Sequence, residues 1–384
     1  MDAAALAKDF DKIVKQYDVI ITPTWWQILD AAKAGSLVDL SPFINEKDYM
    51  NGVLDRVKVN GKIYALPGPG YPILFFYKKS VFSKYNLNVP QTISDFNNLL
   101  NQLVNIKGNN KVIVLDFGFG RGYPSAILID ALIANLGGHQ MHADIAWGRI
   151  RFSNAASQLD LSNILQNIVN HTQLMNVTLA YSAFWNETYY LTLRPNCAPA
   201  WLINFGRVPA DQVINDLGTF AFPGTGNEKV APTEDISYAV VSASSAHRNE
   251  ALEFTKFYST RGAEIMAAEE RLEGIIPMYK NANINEIWAP ARTVFNYIKD
   301  NNVYITFTII DDTFTIPQVG VHWIGAFNVF TNPNLIDSYV ANMTAIQPYY
   351  PVKITPTMKF FNWAIPSATA ELYEMYRSAF KESK

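Results

Sequence analysis

Asp18-Val19-Ile20-Ile21-Thr22-Pro23-Thr24-Trp25-Trp26 begins as a short apolar run, breaks at a proline and ends on two adjacent tryptophans. Val19-Ile20-Ile21 has the continuous β-branched character of a buried strand. Before it, Leu6, Phe10, Ile13, Val14 and Tyr17 fall at helical spacing, and after Thr22-Pro23-Thr24 the helical period returns through Leu29, Ala32 and Lys33 to stop at Gly35. Helix, strand and helix in this order predict an α/β protein. They also place Trp25 and Trp26 at the carboxyl end of a strand, the edge at which open α/β sheets bind ligands.

Outward from this stretch the α/β rhythm continues. Asn60-Gly61 between Val57-Lys58-Val59 and Lys62-Ile63-Tyr64 predicts a two-residue hairpin turn. Gly68-Pro69-Gly70-Tyr71-Pro72 is a breaker cluster ahead of the apolar strand Ile73 to Tyr77, and it reads as a crossing between lobes. Helices are expected at 82–85 and 94–106, a strand at 112–115, and a helix at 126–136 ending on Gly137-Gly138. The pattern is helical from Leu161 to Ala183, strands follow at 201–203 and 219–222, and Ile236 to Val241 is a strand leading into helices at 251–258 and 262–270. A polar aromatic stretch spans 311–330, and a last helix is expected at 368–380.

The chain has 384 residues, enough for two or three packed units. With 49% apolar and only 17% charged residues it can bury large cores, and disorder is excluded as its general state. A net charge of −3 supplies no field for phosphate backbones, so nucleic acid is not an expected partner. A single cysteine, Cys197, excludes an intramolecular disulfide and a multi-thiolate zinc site. No run is long and apolar enough to span a bilayer, and Met1-Asp2-Ala3-Ala4 has no signal-peptide pattern, so an export signal or membrane tether is expected to lie outside this sequence.

Aromatic residues reach 13%, with 20 Tyr, 23 Phe and 8 Trp. Core filling explains such an excess, as does a carbohydrate site, where the C–H faces of a sugar stack on rings. His139, His142 and Asp144 do not complete a metal site, because a fourth ligand is lacking. Gly118-Phe119-Gly120-Arg121-Gly122 follows a strand but has neither the Lys-Ser/Thr ending nor the spacing of a nucleotide loop. No cofactor and no metal are expected.

An ordered set of segments resembles one family. These are Asp18-Val19-Ile20-Ile21-Thr22, Ala34-Gly35-Ser36-Leu37-Val38-Asp39-Leu40, Val59-Asn60-Gly61-Lys62-Ile63-Tyr64-Ala65-Leu66-Pro67, Phe76-Tyr77-Lys78-Lys79-Ser80-Val81-Phe82, Pro90-Gln91-Thr92, Asn249-Glu250-Ala251-Leu252-Glu253-Phe254 and the turn Gly274 to Pro277. In this order they resemble the extracellular solute-binding proteins of ABC sugar importers, in their maltodextrin-binding-like class. The resemblance covers most of residues 18–280 and is loose beyond. It implies a two-lobe α/β fold of the type II periplasmic-binding-protein kind, with the ligand in the inter-lobe cleft. The expected lobes are 1–74 plus 242–287, lacking the family's first strands, and 75–241 plus 288–384.

Within that family, Phe222-Pro223-Gly224-Thr225 followed by Asp235 resembles the glucose binders, with archaeal members closest, and implies an aspartate that grips sugar hydroxyls. Arg121-Gly122-Tyr123-Pro124 and Ala198-Pro199-Ala200-Trp201 similarly imply ring-stacking aromatics at Tyr123 and Trp201. The candidate substrate-binding set is Trp25, Trp26, Tyr71, Asp116, Arg121, Tyr123, Trp201, Asp235, His322 and Trp323. Each has a structural alternative: core packing for the rings, a turn cap for Asp235, and mutual pairing for Asp116 and Arg121. The resemblance implies a non-catalytic, cell-surface monomer that captures a monosaccharide, glucose or a related hexose, and hands it to ABC permease subunits. Alternatives are another solute, such as an oligosaccharide, polyamine or peptide, and a secreted glycoside hydrolase using Asp311-Asp312 or Glu269-Glu270. Glycosylation sequons occur at Asn170, Asn176, Asn186 and Asn342.

Overall fold

A computed structural model describes residues 10–23, 25–116, 123–186, 188–193, 215–224, 226, 228–234, 236–269, 275–287, 289–309 and 316–347. Strand β1 (Val19–Thr22) leads into helix α1 (Trp25–Lys33). The hairpin β2 (Lys58–Val59) and β3 (Lys62–Ile63) follows, then β4 (Leu66–Pro67), β5 (Tyr71–Pro72) and β6 (Phe75–Lys78). Next come α2 (Ile93–Lys107), β7 (Ile113–Asp116), the long α3 (Tyr123–Ala146), α4 (Leu161–His171), β8 (Thr172–Met175), α5 (Val177–Trp185) and β9 (Leu191–Thr192). Strands β10 (Leu217–Phe220), β11 (Val230–Glu234) and β12 (Tyr238–Val241) precede α6 (Arg248–Phe257) and α7 (Ala289–Asp300). Strand β13 (Tyr304–Thr306), α8 (Ile316–Thr331) and α9 (Ile336–Ala345) complete the main described elements.

These elements form the bilobed α/β fold of type II periplasmic binding proteins. The first lobe is built on a sheet of order β1-β12-β4, and the second on β10-β6-β9-β7-β8. A further small sheet has the order β13-β11-β5. Because β12 pairs with β1 from Val19↔Val241 to Thr22↔Tyr238, the return crossing precedes Tyr238. Residues 238–241, which the sequence reading grouped with the second lobe, thus pair with the strand that opens the first.

Local chemistry accounts for many of the element ends. In the β2–β3 hairpin Asn60 and Gly61 have φ of 52° and 76°, the pair of positive angles that Asn-Gly tolerates. Helix α2 starts in a capping box, where Thr92 accepts the Asp95 N–H and the Asp95 side chain accepts the Thr92 N–H, and it ends at Gly108 in the left-handed region. Helix α3 is two arms joined at Gly138 (φ 76°, ψ 167°), so the break expected at Gly137-Gly138 is present but the chain resumes as helix.

The reading of 161–183 as one helix is corrected. Strand β8 interrupts it, pairing in parallel with β7 at Ile113↔Thr172, Val114↔Gln173, Leu115↔Leu174 and Asp116↔Met175. The Asn176 side chain then accepts the Leu179 N–H at 2.9 Å and opens α5. Helix α8 takes up most of the polar aromatic stretch 311–330. The strand expected at 201–203 and the helix at 368–380 lie outside the described residues.

Part of the aromatic excess is core. Phe75 stacks on Phe220 at 5.6 Å and contacts Phe96 at 5.6 Å, while Phe96 meets Phe222 edge-on at 5.0 Å. Contacts through β13 also tie the lobes together. The Tyr304 hydroxyl donates to Asp55 Oδ2 at 2.8 Å, and its ring stacks on His139 of α3 at 3.9 Å.

Candidate functional site

The proline break after β1 starts α1 directly at Trp25, so the tryptophans open a helix at the strand's carboxyl end. Trp25 is 1% exposed, its ring 5.2 Å from Phe307, while Trp26 is half-buried. The buried guanidinium of Arg56 lies 5.8 Å from the same Phe307 ring and 5.9 Å from Tyr238. Tyr238 is held in place by a 3.0 Å hydrogen bond from its hydroxyl to the Val53 carbonyl. The guanidinium thus stands near two rings, one of which, Phe307, also packs on Trp25.

In the second lobe, α3 begins at Tyr123 beyond the carboxyl end of β7, whose last residue, Asp116, is buried. The Tyr123 ring meets Trp323 of α8 edge-on, with centroids 5.2 Å apart. Trp323 is half-buried, but its Nε1 is shielded from solvent and has no hydrogen-bond partner among the described residues. Two residues on from Tyr123, the Ser125 hydroxyl is in the same position. Such donors ordinarily find a partner when buried, so a polar acceptor would be stabilised beside them.

His322, the residue before Trp323, has a different partner. It is 2% exposed, its Nε2 lies 3.2 Å from the Tyr339 hydroxyl of α9, and burial lowers its pKa to about 3. It is therefore a neutral group within the packing of α8 on α9.

Tyr71 and Glu234 are both buried and stand directly opposite one another in the β5–β11 pair. Close by in sequence, Asp235 lies outside the described residues, as do Arg121 and Trp201. The structure thus brings together Tyr123 with Trp323, and Tyr71 with Glu234. Asn170, Asn176, Asn186 and Asn342 are all exposed.

Sequence reasoning passed over Phe307, Arg56, Glu234 and Asp130, and weighed His142 only as a metal ligand. His142 Nε2 lies 2.8 Å from Asp130 Oδ1, and Asp130 Oδ2 accepts the Ile309 N–H at 3.2 Å. Asp130 had a signal: it is the one charged residue in the apolar run Ala126 to Leu136. Phe307 had none, because its position depends on β13 joining β11. Among the described residues no group of His, Cys, Asp and Glu could hold a metal ion, and no helix is long and apolar enough to cross a membrane.

Flat rings, neutral donors and buried carboxylates suit an uncharged, hydroxyl-rich ligand. Comparison with known proteins fits this arrangement. The sequence model described as bacterial extracellular solute-binding protein matches residues 2–265. An uncharacterised ABC transporter extracellular-binding protein of Pyrococcus horikoshii is 30% identical over 277 residues, covering 70% of this chain and 61% of that protein. The multiple sugar-binding protein of Streptococcus mutans is 26% identical over 263 residues, 64% of this chain and 59% of its own length. The chain thus spans about three-fifths of the length of these curated relatives. Among solved structures, the bacterial solute receptor AcbH, described as having an exclusive preference for β-D-galactopyranose, superposes with a TM-score of 0.70 at 14% identity, covering 90% of this chain and 87% of that one. That likeness shows the fold. With the two lobes and the family match over residues 2–265 in agreement, this chain belongs to the bacterial extracellular solute-binding proteins.

Proposed function

We propose that the chain captures an uncharged saccharide between its lobes and delivers it to the permease subunits of an ABC importer. The observation that carries this reading is the Tyr123–Trp323 pair, an aromatic corner whose indole N–H is buried without a partner among the described residues. A pyranose ring can stack on such a corner while one hydroxyl accepts that N–H. On the first lobe the candidate ring is Trp26, half-buried at the carboxyl end of β1. A ligand touching both lobes favours the closed state, and inverting a 1:99 equilibrium takes about 5.5 kcal/mol of differential affinity. A few hydrogen bonds and ring contacts supply energy of that order.

The names of the similar proteins include a multiple sugar-binding protein, a chitin oligosaccharide binding protein and a raffinose complex beside one galactopyranose receptor, so an oligosaccharide is better supported than a single glucose-type hexose. A glucose-type hexose rests on Asp235 and the Phe222-Pro223-Gly224-Thr225 segment, with Trp201 as the facing ring. Calorimetric titration with monosaccharides and oligosaccharides, on wild type and on Trp323→Phe, Tyr123→Ala, Trp201→Ala and Asp235→Ala, tests both levels. Trp323→Phe keeps an aromatic face, though a smaller one, and removes the N–H, so at least a fivefold to tenfold loss, on the order of one hydrogen bond, is expected. If peptides or polyamines bind and no sugar does, the reading fails. Catalytic release of reducing sugar would replace it with hydrolysis.

A further inference from the structure

A groove of about 640 Å³ separates α2 from α4 and the turn before it. None of its lining residues belongs to the set described above. On one wall Ile93, Asn97 and Asn101 recur every four residues, and on the other Asn163 and Asn167 do the same, so each helix presents a continuous face to the groove. Asn167 Nδ2 donates across the groove to Asn97 Oδ1 at 2.8 Å, and Asn163 Nδ2 donates to Asp160 Oδ1 at 2.7 Å. Each bond uses one end of an amide. Asn97 keeps Nδ2, and Asn163 and Asn167 keep Oδ1, for an incoming group, and the Asn101 side chain has no hydrogen bond among the described residues.

The chemistry selects a ligand class. No lysine, arginine or histidine lines the groove, so nothing there neutralises an anion, and a single carboxylate, Asp160, is a poor cage for a cation. Side-chain amides both donate and accept, as sugar hydroxyls do. Between them the half-buried Ile93, Leu159 and Ile164 offer apolar surface for C–H faces. The volume lies within the range of small-ligand sites. A separate observation points the same way: Asn170, the exposed sequon asparagine, follows Asn163 and Asn167 at i+7 and i+3 on α4, so a glycan attached there would begin beside the groove.

We infer that the α2–α4 groove is a second saccharide site, separate from the cleft, filled either by a free neutral oligosaccharide or by the sugar chain on Asn170. The inference holds whether or not the cleft binds sugar. In chain produced by a host that does not glycosylate, titration with maltotriose and with chitotriose, followed by side-chain amide NMR, is expected to shift the Asn97, Asn101 and Asn163 resonances saturably. Asn97→Ala should weaken this response about fivefold, Asn97→Ala with Asn163→Ala should abolish it, and Trp323→Phe should leave it unchanged. All these asparagines are at least partly exposed on helices, and circular dichroism checks that the variants stay folded.

Glycosylated protein separates the sources. If it ignores free oligosaccharide while Asn170→Gln from the same host responds, the attached chain fills the groove; equal responses identify the free saccharide as occupant. No shift of these amides in either form at about 50 mM sugar, well above a millimolar Kd, overturns the inference. Loss of binding only in Trp323→Phe would instead report on the cleft.

Discussion

The Trp25 indole and the Phe307 ring lie with centroids 5.2 Å apart and planes tilted by 33°, which packs the first helix of one lobe against the chain leaving β13. Both residues are buried. Phe307→Ala removes the cover and leaves a cavity, so about 3 to 4 kcal/mol of destabilisation is expected, with a red shift of tryptophan emission. Denaturant titration and fluorescence check it, and an unshifted spectrum would show that Phe307 does not shield Trp25.

Asn135 substitutes for a strand neighbour at the start of β11. Its Oδ1 accepts the Val230 N–H at 2.9 Å, and its Nδ2 donates to the Val230 carbonyl at 2.8 Å. Asn135→Leu is nearly isosteric but strands two buried backbone groups, at a cost of about 2 to 4 kcal/mol. Hydrogen exchange at the Val230 amide should rise with the loss of stability; an unchanged rate would mean that the amide is satisfied in another way.

His322 sets a pH dependence. An ordinary histidine titrates near 6.5, and burial brings His322 down to about 3. Between these values the unfolded chain binds a proton that the folded chain refuses, so stability falls as pH drops from about 6.5 towards 3 and is unaffected by this group above that window. The loss at pH 5 is about 2 kcal/mol. His322→Gln retains a polar partner for Tyr339 and does not titrate, so its melting temperature should decline less between pH 7 and pH 5 than that of wild type.

Gly138 joins the arms of α3 at φ 76° and ψ 167°, a conformation nearly confined to glycine, and a Cβ there would meet Glu228 Oε2 at 3.2 Å. Glu228 also accepts the His139 backbone N–H at 3.1 Å. Gly138→Ala should cost about 1 to 3 kcal/mol and loosen the stacking of His139 on Tyr304. Thermal unfolding measures the first effect, and the ring chemical shifts of His139 the second.

Local chemistry alone specified several features of this chain. The positive φ angles at Asn60-Gly61, the helix beginning at Trp25 after a proline, and the break at Gly138 each depend on residues within a few positions, and short-range sterics decide them. The α/β class was legible for the same reason, since alternating apolar runs and amphipathic stretches are local patterns, whereas the two lobes were implied only by the family resemblance. Thr172–Met175 is a strand because β7 offers it a complete parallel register, and Tyr238–Val241 belongs to the first lobe because β1 does the same. Neither partner is near in sequence. The meeting of Tyr123 with Trp323 spans two hundred residues, and the different partners of His322 and Trp323, Tyr339 and Tyr123, follow from how α8 packs on its neighbours. Pairing and packing between distant segments release free energy only once the chain has folded, so only the tertiary structure decides which rings share a site and which fill a core.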